Sequence, residues 1–164
     1  MTEKVKVHFY SEKINSPIKD EEITVDISLQ DMMFATRQSA AVDIRSSKDV
    51  IIKSHSHEVI STGLYVSIPE GYCMKVYPRS GMSAKTSLIF KNTVGLIDSD
   101  YRGHEIKVMW YNLGNESIEI KVGDRIAQAF IEKVLPVEYI EVSSIQKLKD
   151  MGHDRGGGLG STGR

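Results

Sequence analysis

The chain has little of what would tie it to a disulfide scaffold, a membrane or a polynucleotide. Cys73 is the single cysteine in 164 residues, so no intrachain disulfide forms and nothing calls for an oxidising compartment. Tyr72 and Met74 flank it in a strand-like pattern, and it reads as a strand residue, not a nucleophile. No run approaches the ~20 apolar residues of a membrane span. The opening Met1, Thr2, Glu3, Lys4 and Val5 hold no apolar signal core. An excess of one charge is missing too: 21 basic against 22 acidic side chains leave a net charge of -1, which gives no basic field for DNA or RNA. The chain is read as intracellular and cytoplasmic, in the host cytoplasm if its origin is viral, with no direct nucleic-acid or membrane partner. Its size fits one self-sufficient domain.

What is abundant is alternation. Val5, Val7 and Phe9; Leu64, Val66 and Ile68; Tyr72, Met74 and Val76; Val108 and Trp110; Ile118, Ile120 and Val122; and Ile126, Gln128 and Phe130 have the period of half-buried strands. Turn signals separate them at Ser16-Pro17, Pro69-Glu70-Gly71, Ser80-Gly81, Asn112-Leu113-Gly114-Asn115 and Val122-Gly123-Asp124. Short strands with this punctuation predict an antiparallel sandwich, barrel or jelly roll. Helix is predicted only over 83–90 and 144–151, and no repeat or linker divides the chain. From Gly152 onward six of thirteen residues are glycine, so the reading is a domain over 1–151 and a tail over 152–164 that is mobile when no ligand is bound.

The densest chemistry lies in residues 92–103, where Asn92, Gly95, Asp98, Asp100, Tyr101, Arg102 and Gly103 crowd one turn. A tip that only reversed the chain would need a glycine or an Asn-Gly pair, not a tyrosine beside two acids. A second cluster, Tyr77-Pro78-Arg79-Ser80-Gly81, lies upstream, and a third, Gly123-Asp124-Arg125-Ile126-Ala127-Gln128, downstream. The tail adds Arg155, bare glycine N–H groups and the hydroxyls of Ser161 and Thr162, which is a donor set for phosphate oxygens. Together they predict an enzyme acting on a phosphorylated ligand. Other features read as structural: Asp100 as a turn acid, Asp124-Arg125 as a turn and ion pair, and Met32-Met33-Phe34 as core or subunit contact. His55 and His57 would share a strand face, with no third metal ligand nearby.

These clusters, with Ala40-Ala41-Val42-Asp43-Ile44-Arg45-Ser46 ahead of them, resemble the five ordered motifs of the trimeric deoxyuridine triphosphatases (dUTPases) over residues 40–163. The resemblance implies a jelly-roll-like β-barrel and a homotrimer with shared active sites. It implies hydrolysis of dUTP to dUMP and pyrophosphate with Mg²⁺, which keeps uracil out of DNA and supplies dUMP for thymidylate synthesis. Asp98 matches the general base that activates the attacking water, and Tyr101 the ring that excludes a 2′-hydroxyl. Asn92, the backbone of Gly95, Leu96 and Ile97, and Ile106 match a hairpin slot for uracil. Arg79, Ser80 and Gly81 match the holders of the α- and β-phosphates, and Gln128 the residue that places the phosphate chain and water. Asp43 matches an acid reaching Mg²⁺ through water, and Arg155, Gly160 and Ser161 the tail over the γ-phosphate.

The chain departs from the family pattern in two places. Ala41-Val42 stands where the family usually has Gly-Tyr. Leu159 stands near the place of a phenylalanine over the uracil, so either Leu159 or an aromatic from elsewhere, Phe90, Trp110 or Tyr111, would cover the base. Two rivals share the scaffold. A dCTP deaminase, or a bifunctional form, would carry a glutamate where this chain has Val108, and a nucleotide-sensing regulatory protein would keep the barrel without the catalysis.

Overall fold

The computed structural model describes residues 5–11, 36, 38–154 and 156, with the backbone of 14–18 and 21–25. Met32, Met33, Phe34, Arg155, Leu159, Gly160 and Ser161 lie outside the described residues. Two compact units are present, Met1–Val134 and Leu135–Arg164.

In chain order the first unit contains β1 (His8–Ser11), β2 (Ile14–Ile18), β3 (Glu21–Val25), β4 (Val42–Arg45), β5 (Val50–Ile52), β6 (His57–Ser67) and β7 (Tyr72–Tyr77). A short helix, α1 (Ser80–Lys85), precedes β8 (Leu88–Phe90), β9 (Gly95–Ile97), β10 (Glu105–Asn112), β11 (Ile118–Ile120) and β12 (Arg125–Lys133). Two four-stranded sheets, ordered β1-β6-β10-β8 and β4-β12-β7-β9, are present with the two-stranded pairs β11-β5 and β2-β3. Every pairing is antiparallel. This is the all-β, jelly-roll-like barrel that the family resemblance implies, within the range of antiparallel folds that the alternation predicts.

The core forms because that alternation has one apolar face. On β10 it is Ile106, Val108, Trp110 and Asn112 that point inward, each at most 2% exposed. Ile44, Ile60, Leu88 and Ile126 meet them from other strands. Phe90 packs edge-on against Trp110 with ring centroids 4.4 Å apart. Asn112 is tolerated in this apolar setting because its side chain is fully bonded. Its amide donates to the carbonyls of Ile52 (3.1 Å) and Glu116 (2.7 Å), and its oxygen accepts from Ser87 Oγ (2.7 Å) and Gly114 N (2.9 Å). Cys73 is buried in β7, as a strand cysteine should be.

Local expectations are corrected in two places. The helix predicted over 83–90 begins earlier, at Ser80, and ends at Lys85, because Thr86 is extended (φ −134°) and Leu88 and Phe90 turn inward around exposed Ile89 as strand β8. His55 and His57 do not share a strand face: His55 sits in the turn before β6 at φ +51°, its Nε2 3.1 Å from Asn115 Oδ1. Among the described residues no group of three His, Cys, Asp or Glu is placed to hold a metal. Nor is any helix there long and apolar enough to cross a membrane.

In the second unit the predicted helix over 144–151 is present as α2 (Ile145–Lys149). Ser144 caps it by accepting from Lys147 N at 3.2 Å. Beyond it the Gly156 N–H, and then Lys149, hold the Asp154 carboxyl below its ordinary value.

Candidate active site

Strand register brings three distant sequence clusters together. β12 lies between β4 and β7, so Gln128 stands opposite Asp43 on one side and Tyr77 on the other. Past Tyr77 the chain turns at Pro78, whose carbonyl accepts from Gln128 Nε2 at 2.9 Å. Arg79 follows in extended conformation and caps α1. Its Nε lies 2.8 Å from Asp43 Oδ1, and its Nη1 donates to the Arg125 carbonyl at 3.2 Å. The other oxygen of Asp43 accepts from Arg125 Nη1 at 3.2 Å. One carboxylate is thus shared by two guanidinium groups, and the cluster keeps an excess positive charge suited to an anion.

These groups line a cleft of about 330 Å³ formed by Ser39, Ala40, Ala41, Asp43, Arg79, Ser80, Gly81, Arg125 and Gln128. Ser80 and Gly81 open α1, where backbone N–H groups lack partners within the helix. No atom lies within 4 Å of where a Cβ on Gly81 would sit, so the backbone there is open to a ligand.

Arg125 makes the ion pair expected of it but also lines this cleft, which its sequence context does not show. Asp124 closes the turn as expected, its Oδ2 accepting from Lys121 N at 2.8 Å, but the ion pair of Arg125 is with Asp43 and not with its neighbour. A register shift between Arg125 and Ala127 moves the alternation by one residue. Residues 125 and 128, three apart, therefore reach the same cleft. No composition or spacing signal announces that shift.

No residue of the turn over 92–103 lines this cleft. The hairpin expected there is instead a crossing between sheets. β9 pairs with β7 through Gly95 opposite Val76 and Ile97 opposite Met74, while β10 pairs with β6 and β8. Gly95 permits the close approach, since a Cβ there would lie 3.1 Å from Val76 Cβ. Asn92 is exposed, and its carbonyl accepts from Val94 N at 2.6 Å. Arg102 braces the turn by donating to the carbonyls of Ser99 (2.9 Å) and Ile68 (3.4 Å).

Asp98 is exposed, with its carbonyl accepting from Tyr101 N at 3.2 Å. Its carboxylate has no partner among the described residues. Tyr101 is 41% exposed, packs its ring 5.2 Å from His104 and donates its hydroxyl to the Glu105 carbonyl at 3.3 Å. Ile106 is fully buried, and its carbonyl accepts from the Thr62 hydroxyl. Any part it takes in a base slot is through its backbone. Of the aromatic substitutes for a tail phenylalanine, Phe90 and Trp110 are corrected, being core residues, while Tyr111 is half-buried with its hydroxyl donating to the His55 carbonyl at 3.1 Å.

Comparison with known proteins points the same way. The chain is 47% identical over 132 residues to the deoxyuridine 5'-triphosphate nucleotidohydrolase of Nautilia profundicola, a match spanning 80% of this chain and 89% of that protein. It is similar to the structure of a Staphylococcus bacteriophage 80alpha dUTPase variant with dUpNHpp, at TM-score 0.69 and 25% identity, covering 99% of this chain and 100% of that one. The fold also matches a dUTPase of S. aureus phage phi11 described for its coordination of a structural Mg(II) ion, at TM-score 0.65 and 24% identity, covering 88% of this chain and 99% of that one. The dUTPase family model matches residues 28–163, so the chain, whose first, second and fourth motifs converge on one cationic cleft, belongs to the dUTPase family.

Proposed function

We propose that the protein hydrolyses dUTP to dUMP and pyrophosphate by attack of a water, activated by Asp98, on the α-phosphorus. The observation that carries this reading is the cleft in which Arg79, Arg125, Ser80, Gly81 and Gln128 surround Asp43. Arg79 and Arg125 present fixed cations to a triphosphate, and the Ser80 hydroxyl and the N–H groups of Ser80 and Gly81 supply donors for its α- and β-phosphates. Gln128 positions the phosphate chain and the water. The Asp98 carboxylate is unencumbered and so can take the proton of an in-line water. No covalent nucleophile is needed.

Asp98 lies outside the cleft lining, which supports a homotrimer whose sites are shared, the turn of one chain completing the cleft of another. The base slot would be read by the backbone of Gly95, Leu96, Ile97 and Ile106 with Asn92. Uracil offers acceptor, donor, acceptor along one edge. Cytosine reverses two of these and leaves buried groups unpaired, a mismatch that can discriminate by ~10⁴. The tail residues Arg155, Leu159, Gly160 and Ser161 would close over the γ-phosphate and the base. A deaminase finds no acid here, since Val108 is an apolar core residue.

The donor set fits a Mg²⁺ that arrives with its nucleotide. Among the described residues Asp43 is the only acid lining the cleft and no three-ligand cage exists; Mg²⁺ commonly takes one or two carboxylates, substrate phosphates and several waters. Asp43 would hold it through its water shell, and when bound it supplies charge neutralisation along the triphosphate.

Pyrophosphate release with each nucleotide in turn tests the reading. The expected result is rapid release from dUTP and almost none from dCTP, dTTP or UTP. Comparable rates on dCTP or UTP contradict it, and ammonia release from dCTP assigns a deaminase.

A further inference from the structure

The pairing of β6 with β10 slips just where the functional turn ends. Glu105 stands opposite Tyr65 and Lys107 opposite Ser61, so residues 62–64 of β6 face Ile106 alone. A bulge of this kind takes backbone groups of the longer strand out of the ladder, and at the barrel wall they need other partners. Side chains supply them. Glu105 Oε1 accepts from both Thr62 N (3.0 Å) and Gly63 N (2.9 Å). The Thr62 hydroxyl donates to the Ile106 carbonyl (2.5 Å) and accepts from Leu64 N (3.1 Å). Gly63 adopts φ +64°, a left-handed conformation that glycine takes without a Cβ penalty.

Glu105 therefore faces two ways. Its side chain, 17% exposed, is bonded to the backbone of β6, and its own carbonyl accepts the Tyr101 hydroxyl at 3.3 Å. Among the described residues the Tyr101 side chain is otherwise held only by its ring contact with His104. A half-exposed ring discriminates sterically only if its position is fixed to about 0.5 Å. The bond from Tyr101 to Glu105 fixes the ring only as well as Glu105 itself is fixed.

We propose that Glu105 is a positioning residue for Tyr101: its carboxylate anchors the exit of the turn to β6, and the carbonyl so anchored holds the Tyr101 ring where it excludes a 2′-hydroxyl from the sugar. This rests on Tyr101 being the sugar-facing residue of the proposed function. A glutamate that merely satisfied two buried N–H groups would affect stability and leave the choice between dUTP and UTP unchanged.

The test is kcat and KM for dUTP and UTP on Glu105→Ala, Glu105→Gln and Tyr101→Ala, each checked for folding by its melting transition. Glu105→Ala is expected to lower the dUTP-over-UTP ratio of kcat/KM by roughly tenfold, through a raised kcat/KM for UTP, with kcat on dUTP within a few-fold of the parent. Glu105→Gln is expected to keep the parental ratio, because its amide oxygen accepts from both N–H groups. A folded Glu105→Ala with an unchanged ratio overturns the proposal, as does a Glu105→Gln as permissive as Glu105→Ala. If Glu105→Ala fails to fold, Glu105→Asp, too short to reach both N–H groups, is read by the same criterion. Tyr101→Ala separates the two levels. If it lowers the ratio and the Glu105 variants do not, only the positioning role fails; if it leaves the ratio unchanged, the reading of Tyr101 fails and the positioning role with it.

Discussion

Replacing Asp98 by asparagine is expected to lower kcat on dUTP by at least ~10², the lower end of what loss of a general base costs, with nucleotide affinity within a few-fold of the parent. The size of the effect follows from the chemistry. Asparagine is nearly isosteric and can still orient a water, but it cannot take the proton, so the cost falls on the transition state and not on binding. The structure makes the comparison clean, since the Asp98 side chain is exposed and makes no contact with a described residue that the substitution would break. The melting transition should therefore be unmoved. Turnover by pyrophosphate release and affinity by calorimetry with a non-hydrolysable analogue check the two halves. Turnover within a few-fold of the parent would reduce Asp98 to a turn residue.

Arg79→Ala should lower kcat/KM by about 10³, near 4 kcal/mol, and should do so for every triphosphate alike. Arg79 bridges Asp43 (2.8 Å) and the Arg125 carbonyl (3.2 Å) with a side chain only 25% exposed. Its removal takes a fixed cation from the cleft, leaves the Asp43 charge to Arg125 alone, and turns a net attraction for phosphate into near neutrality. Lysine at the same place keeps the charge and loses the fork that makes two bonds at once, so Arg79→Lys should recover little. Steady-state kinetics on dUTP and UTP distinguish this from a base-reading defect, because a phosphate contact cannot alter their ratio. A changed ratio with an unchanged dUTP rate would move Arg79 away from the phosphates.

Much of the architecture was legible in the sequence because the barrel is built from period-two patterns. The strands around 64–68, 72–76, 108–110 and 126–130 lie where the alternation predicts them, whereas the pattern over 118–122 is strand only to Ile120 and that over 5–9 only from His8. What misled was nonlocal. Leu88, Ile89 and Phe90 form a run too short to tell strand from helix by period, and pairing with β10 decides it. The turn over 92–103 reads as a hairpin because strand-like residues flank it, whereas its two sides belong to different sheets. The resemblance implied phosphate-side roles for Arg79, Ser80, Gly81 and Gln128 and a metal-side role for Asp43, and register brings those five together. Arg125 escaped because a one-residue shift in β12 reverses which side of the strand it serves. The clamp of Glu105 and Thr62 escaped for the same reason: a bulge is a property of two paired strands, and neither strand shows it alone.

The most direct measurement is the fate of the attacking oxygen when dUTP is hydrolysed in water enriched in heavy oxygen, with both products analysed by mass spectrometry. Attack at the α-phosphorus by an Asp98-activated water predicts label in dUMP alone and unlabelled pyrophosphate. Label in pyrophosphate, or release of orthophosphate, would place the bond cleavage elsewhere on the chain of phosphates and contradict the site as built here.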